Sequence, residues 1–175
     1  MITTITRYGL AAGFIIASIL FGTTVGLQQH IPDPAVGMAI GYAGMLLAFS
    51  MIVLAIRRHR DAVLGGVIGF WPALGLGLGI TLIATIFYVL AWEAALAVTG
   101  MDFGAEYAGM MVADAEKSGN AAAIARARTD AAQFARNYAR PLWRMGVTAT
   151  EILPVGALIS LAAAGWLSRR RRVPV

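Results

Sequence analysis

The sequence predicts an all-α polytopic membrane protein: four transmembrane helices, with an extramembrane helical hairpin between the third and the fourth. Three observations predict it. Hydrophobic residues make up 59% of the 175 residues and charged residues only 13%, against roughly 45–50% and about 25% in soluble domains. A soluble chain of this length could not cover so much apolar surface. Four apolar runs of about one bilayer's length fall at 8–27, 36–56, 73–93 and 146–167, and a polar stretch, 98–144, separates the last two. The whole chain, 1–175, reads as one four-helix transmembrane domain.

The composition also excludes function classes. Net charge is +5, but the basic residues cluster beside apolar runs, which suits membrane anchoring and not the aromatic-interleaved basic face of nucleic-acid binding. The absence of cysteine removes disulfides, thiolate metal sites and a Cys nucleophile. A single Lys stands against thirteen Arg, and with abundant Ala and Gly this hints at a GC-rich bacterial genome.

Tyr8 to Leu27 is uncharged and follows Arg7; twenty helical residues rise roughly 30 Å, the thickness of a hydrocarbon core. A signal peptide is the rival reading, but the run exceeds a usual apolar h-region and no Ala-x-Ala site follows. Pro32 and Pro34 end the segment. His30 and Asp33 beside them fall far short of a metal-ligand set and read as a solvated turn.

Val36 to Ile56 makes the second span. Gly37, Gly41 and Gly44 recur at intervals of four and three, one helical face, and read as a small-residue packing stripe. Tyr42 sits in the same turn, with a hydroxyl that needs a partner when buried. Arg57, Arg58, His59 and Arg60 follow at once and read as a topological anchor, with an acidic-lipid or phosphate site as the alternative. Ala62 to Trp71 is apolar but too short to cross, hence interfacial or re-entrant, and Gly65, Gly66 and Gly69 would allow tight turns there. Pro72 suits the first turn of the next helix.

The third span carries Gly75, Gly77 and Gly79, which read as a close-packing face, Gly75 and Gly79 foremost; no nucleotide fingerprint surrounds them. Tyr88 and Trp92 read as the outer aromatic belt. Glu93, at the helix end, can reach water. In the polar connection, Phe103, Tyr107, Met110 and Met111 predict one short amphipathic helix. Ile124, Ala127, Ala131, Phe134 and Tyr138 predict a second, with the break at Lys117-Ser118-Gly119-Asn120. The 124–138 seam suits packing within a hairpin, on the bilayer surface or on a partner.

The fourth span, Gly146 to Leu167, holds Glu151 about one and a half turns inside. A carboxylate near the bilayer centre costs about 2–3 kcal/mol, less near the edge. Glu151 is therefore expected to face protein, beside Tyr42 or a polar group of the third helix, with Glu93 and Thr150 in the same polar cluster, or else to be protonated. Pro154 leaves the Thr150 carbonyl without its helical donor. Arg169, Arg170, Arg171 and Arg172 form a second positive anchor. Four spans place both Arg clusters on one side, so the positive-inside rule predicts cytoplasmic termini and an outer 98–144 connection.

Several runs together resemble a known family. Gly41-Tyr42-Ala43-Gly44-Met45, Arg60-Asp61 with Gly65-Gly66, Ile68-Gly69-Phe70, Gly79-Ile80-Thr81-Leu82-Ile83-Ala84, and Tyr88 with Trp92 follow one pattern in order. Phe103, Tyr107, Phe134, Tyr138 and Pro141 continue it, and Thr150-Glu151-Ile152-Leu153-Pro154-Val155-Gly156 closes it. The sequence is similar, over nearly its whole length, to the bacterial membrane family known as domain of unknown function 4199. The resemblance implies four helices with a long polar connection before the last, and brings no established activity, substrate or catalytic residue. The Ala- and Arg-rich connection departs from family members that look richer there in Lys and Glu.

No catalytic constellation appears: no H-E-x-x-H, no G-x-S-x-G, no phosphate-binding loop, and no His within a turn of Glu93 or Glu151. The first functional expectation is a non-enzymatic accessory or interaction module of the bacterial inner membrane. It would pack through Gly-rich helix faces, with the bilayer and a protein partner or a second copy as partners and no cofactor. The alternative is a small proton-linked transporter or carrier using Glu151, with Glu93 and Tyr42. An enzyme is the third and weakest reading.

Overall fold

The structure, a computed structural model, describes residues 1–27 and 34–168. His30, Asp33 and the second anchor, Arg169, Arg170, Arg171 and Arg172, lie outside the described residues. The chain is all-helical in these residues: α1 (Ile2–Gly26), α2 (Pro34–Ala62), α3 (Phe70–Thr99), α4 (Phe103–Glu116), α5 (Ala121–Tyr138) and α6 (Pro141–Leu167). α1, α2, α3 and α6 are long and apolar enough to cross a bilayer, and the protein is a polytopic membrane protein.

Each spanning helix overruns the apolar run that announces it. The reason is that backbone hydrogen bonding does not stop where side-chain hydrophobicity does, so the charged residues at the boundary remain helical. Arg57 to Arg60 thus lie in the last two turns of α2, not in a loop. The connection after Ala62 is a turn with no helix of its own. Gly65 and Gly66 take positive φ, 66° and 98°, a region open to glycine at little cost. The Gly66 amide donates back to the Arg60 carbonyl at 2.8 Å. Gly69 departs from expectation, being an ordinary extended N-cap at φ −74°.

α3 is the central helix. Around the bundle the order is α1, α3, α6, α2, so α3 touches both non-sequential neighbours. Against α1 it runs parallel. Ile5 meets Gly79, Ile83 meets Gly9 and Phe87 meets Gly13, each side chain seated where a Cβ on the glycine would come within 2.9 Å of it. Against α6 it runs antiparallel, Gly77 opposite Ser160 and Thr81 opposite Gly156. In lipid, helix association rests on such close van der Waals approach, since apolar side chains gain little by leaving hydrocarbon. The polar groups in these contacts are satisfied within their own helices. Thr81 Oγ1 donates to the Gly77 carbonyl at 3.0 Å and Ser160 Oγ to the Gly156 carbonyl at 2.7 Å.

The expected glycine stripe divides accordingly. Gly44 packs against Ile19 and Gly79 against Ile5, whereas Gly37, Gly41 and Gly75 face open space. The reading of those three as packing positions is corrected: their helical phase turns them away from every neighbour. Gly77, read with Gly75 and Gly79 as a close-packing face, does pack closely, and Gly9, Gly13 and Gly156 carry the other close approaches.

α4 and α5 form the hairpin between the third and fourth spans. Asp102 caps α4, accepting from the Ala105 amide at 3.0 Å, and Asn120 caps α5, accepting from the Ala122 amide at 2.9 Å. Between them Gly119 takes φ 65°. The apolar seams of the two helices pack on one another, with Tyr107 and Phe134 rings 5.0 Å apart.

Candidate functional site

Two pairs of polar side chains, Glu93 with Arg144 and Tyr88 with Glu151, lie in one belt between α3 and α6, at the hairpin end of the bundle. On α3, Tyr88 and Trp92 lie one turn apart, and Glu93 follows. On α6, Arg144, Thr148 and Glu151 step by four and three and share one face. Because the helices are antiparallel, Glu93 meets Arg144 and Tyr88 meets Glu151.

At the membrane boundary the Arg144 guanidinium holds the Glu93 carboxylate with both prongs, Nε to Oε1 at 2.7 Å and Nη2 to Oε2. Each side chain is only 20% exposed. Two parallel charge-assisted bonds fix orientation as well as energy. The guanidinium also lies 5.9 Å from the centre of the Tyr138 ring. Trp92 Nε1 donates to the Tyr138 hydroxyl at 2.8 Å, and burial holds the Tyr138 phenol above its ordinary pKa. Phe103, Tyr107, Phe134 and Trp143 close a ring cluster around Trp92 and Tyr138 with centroid separations of 5.0–6.3 Å. This cluster roots the hairpin on the ends of α3 and α6. Beside it opens a recess of about 360 Å³, lined on its polar side by Glu93, Asp102, Tyr138 and Arg144.

Deeper in the span, the Tyr88 hydroxyl donates to Glu151 Oε2 at 3.1 Å. Tyr88 is buried, 7% exposed, whereas the expectation that Glu151 faces protein is corrected: Thr148 and Ile152 take the buried phase of α6, so Glu151 sits on the outside of the bundle, and only its hydrogen bond turns back to the tyrosine. The pair therefore joins a protein-facing phenol to a carboxylate at the lipid edge.

The sequence profile of one family matches residues 7–169 and carries the description Protein of unknown function (DUF4199). The chain belongs to the DUF4199 family. No curated protein and no solved structure matches it. The runs that carry the resemblance in this DUF4199 chain include both ends of the belt, Tyr88 with Trp92 on α3 and Thr150 to Gly156 on α6.

The expected cluster of Glu151, Tyr42, Glu93 and Thr150 does not assemble in the DUF4199 structure. Tyr42 is 53% exposed on the outer face of α2, in phase with exposed Met38 and Leu46, and makes no hydrogen bond among the described residues. Depth along the helix placed it near Glu151, but its phase turns it outward. Thr150 is exposed, and its hydroxyl donates to the Val147 carbonyl of its own helix at 2.6 Å. Glu93 pairs with Arg144, one layer nearer the surface than Glu151. Of the two partners expected for Glu151, the third-helix one is present: it is Tyr88, which the belt reading had placed at the interface. Trp92 and Tyr138, read as an aromatic-belt residue and a seam residue, join the polar belt by hydrogen bond, and Arg144 is the belt member that sequence reasoning passed over. The signal for it was available, since Glu93 and Arg144 are opposite charges flanking the same polar connection.

At the other end of the DUF4199 bundle, the anchor arginines have different surroundings. Arg60 binds Asp61 at 2.7 Å. Arg57 lies over the Trp166 ring, 5.1 Å from its centroid, and Arg58 is exposed. His59 is buried and shares a 3.1 Å hydrogen bond with the Thr4 hydroxyl, joining α2 to α1.

Proposed function

We propose that this DUF4199 protein is a non-enzymatic accessory module of the membrane, which presents the α4–α5 hairpin to a protein partner. One observation carries the reading: the hairpin is rooted on the spans by the aromatic cluster and the Glu93–Arg144 pair, yet α4 leaves exposed both Met110, beyond that root, and the outer side of Tyr107, within it. A fixed projection with an open apolar edge suits recognition better than chemistry. A photo-crosslinking residue at Met110, activated in native membranes, should give one discrete protein adduct, absent when the same residue replaces lipid-facing Leu82. An adduct of twice the chain's mass would identify the partner as a second copy. Adducts no different at the two positions would end the proposal.

A specific observation favours a second reading, a proton-linked carrier: Glu151 holds a carboxylate at the lipid edge of a span, bonded to one phenol. Purified protein in proteoliposomes tests it, because Glu151→Gln should abolish any pH-driven flux while leaving the fold intact.

The orientation we propose puts the arginine end in the cytoplasm of a bacterial cell and the hairpin outside the inner membrane. Support comes from Arg57, Arg58 and Arg60 clustering at one end of α2, while 98–144 carries five acids against six bases. The chain has no cysteine, so Ser118→Cys offers one thiol at the hairpin tip. Labelling of intact cells by an impermeant maleimide is the expected result; labelling only after rupture of the membrane reverses the orientation.

A further inference from the structure

We propose that Arg57 and Arg58, backed by Trp166, form a binding site for the phosphate of an anionic phospholipid at the arginine end of the bundle. The argument begins with helical phase. Leu47 and Leu54 are exposed on the lipid side of α2, and Arg57 and Arg58 follow Leu54 by three and four residues, so both arginines continue the lipid-facing stripe. The opposite phase is taken by buried Ile52, Ala55, Ile56 and His59. Arg57 and Arg58 stand about 5–6 Å beyond Leu54 along the axis, which is the step from acyl chain to headgroup.

Charge accounting singles out the same two residues. Arg60 has its counter-ion in Asp61, with Nε to Oδ1 at 2.7 Å and Nη2 to Oδ2 at 3.2 Å. Among the described residues, neither Arg57 nor Arg58 forms an ion pair with a carboxylate. Two positive charges therefore face the lipid boundary with no carboxylate partner in the described bundle, and the complementary group at that depth is a phosphate. Arg57 is also held in place. Its guanidinium lies over the Trp166 ring, 5.1 Å from the centroid, a cation–π contact that uses none of its N–H donors and leaves them for phosphate oxygens. Trp166 is itself 57% exposed, as an interfacial indole should be. Across the same end, the exposed Trp71 ring meets Phe70 edge-on at 5.3 Å, marking the headgroup level a second time.

A zwitterionic headgroup brings its own ammonium and cancels part of the attraction; a singly anionic one does not. The occupant is accordingly phosphatidylglycerol or a lipid of like charge, not a soluble anion, because the site opens along the acyl-chain stripe of α2.

Native mass spectrometry of the full chain, titrated with phosphatidylglycerol or phosphatidylcholine, tests this. Retained phosphatidylglycerol should exceed phosphatidylcholine on the unmodified protein, and the excess should fall as ionic strength rises. Arg57→Gln with Arg58→Gln should weaken phosphatidylglycerol binding roughly 10- to 30-fold, at about one lysine- or arginine-equivalent of surface attraction per residue. Arg60→Gln should change it little. Trp166→Leu, which keeps every charge, should weaken it by a smaller factor through loss of the cation–π contact to Arg57. Equal retention of the two lipids by the unmodified protein overturns the proposal, and does so even if the double variant fails to fold. So does unchanged phosphatidylglycerol retention in a folded double variant. Displacement of the lipid by millimolar inorganic phosphate would assign the site to a free anion and equally overturn it.

Discussion

Gly156 of α6 lies directly on Thr81 of α3: a Cβ at the glycine would stand 2.7 Å from the threonine hydroxyl oxygen and 2.8 Å from the tip of the Phe49 ring. Three helices meet there, because Phe49 belongs to α2. Thr81 and Phe49 are fully buried, so neither has room to retreat. Gly156→Ala should cost about 1–3 kcal/mol by overpacking, and Gly156→Leu should prevent assembly of the native bundle. Thermal unfolding in detergent, followed by loss of the monodisperse peak, measures both. Wild-type stability in Gly156→Leu would show that the helices do not meet as described.

Gly13 of α1 and Gly37 of α2 should respond oppositely to the same change. Gly13 faces Phe87, whose ring would be 2.7 Å from an added Cβ, while Gly37 has open space. Gly13→Leu is expected to lower the unfolding temperature markedly, and Gly37→Leu to leave it nearly unchanged. Equal effects at the two positions would mean that the Gly37 face is covered by something other than the described residues.

How far the sequence could be read follows from what periodicity measures. Hydrophobicity and length identified four spans, and the caps at Asn120 and the turn at Gly119 marked the hairpin, because these are local properties. Helical phase against neighbours is not local. Gly37 and Gly9 are equally plausible packing positions by composition, and only the neighbour decides: Ile83 stands over Gly9 and nothing over Gly37. In a membrane helix this blindness is worse than in a soluble one, since both the lipid face and the core face are apolar. The polar belt was half legible for the same reason. Glu151 stood out as a carboxylate in a span, but choosing Tyr88 over Tyr42 required knowing that α3, not α2, carries its phenol at that depth toward α6.

The Glu93–Arg144 pair ties the root of the hairpin to α3. Removing one partner leaves the other charge largely shielded from water, at a cost of about 1–3 kcal/mol. Arg144→Gln and Glu93→Gln should each raise amide exchange across the ends of α3 and α6 and through the aromatic root at Phe103 and Tyr138. The reversed pair, Glu93→Arg with Arg144→Glu, should restore a substantial part of the protection. Hydrogen exchange by mass spectrometry reads all three variants, and identical exchange in the single variants and the wild type would show the pair to be ornamental.

The Tyr88–Glu151 bond separates a structural carboxylate from a working one. Tyr88 is enclosed, so its hydroxyl depends on Glu151 for a partner. Glu151→Gln keeps an acceptor oxygen within reach of that hydroxyl and should preserve most of the stability. Glu151→Leu leaves the phenol unpaired in a dry setting and should cost about 1–3 kcal/mol. Tyr88→Phe removes the donor instead, leaving a carboxylate that sits at the lipid edge and can protonate, so its cost should be smaller than that of Glu151→Leu. The double variant Tyr88→Phe with Glu151→Leu should recover part of the loss, because no polar group is then left without a partner. Unfolding measurements on the four variants close the cycle. Additive costs would show that the two side chains do not interact, and a loss in Glu151→Gln as large as in Glu151→Leu would show that the negative charge, not the hydrogen bond, is what the fold requires.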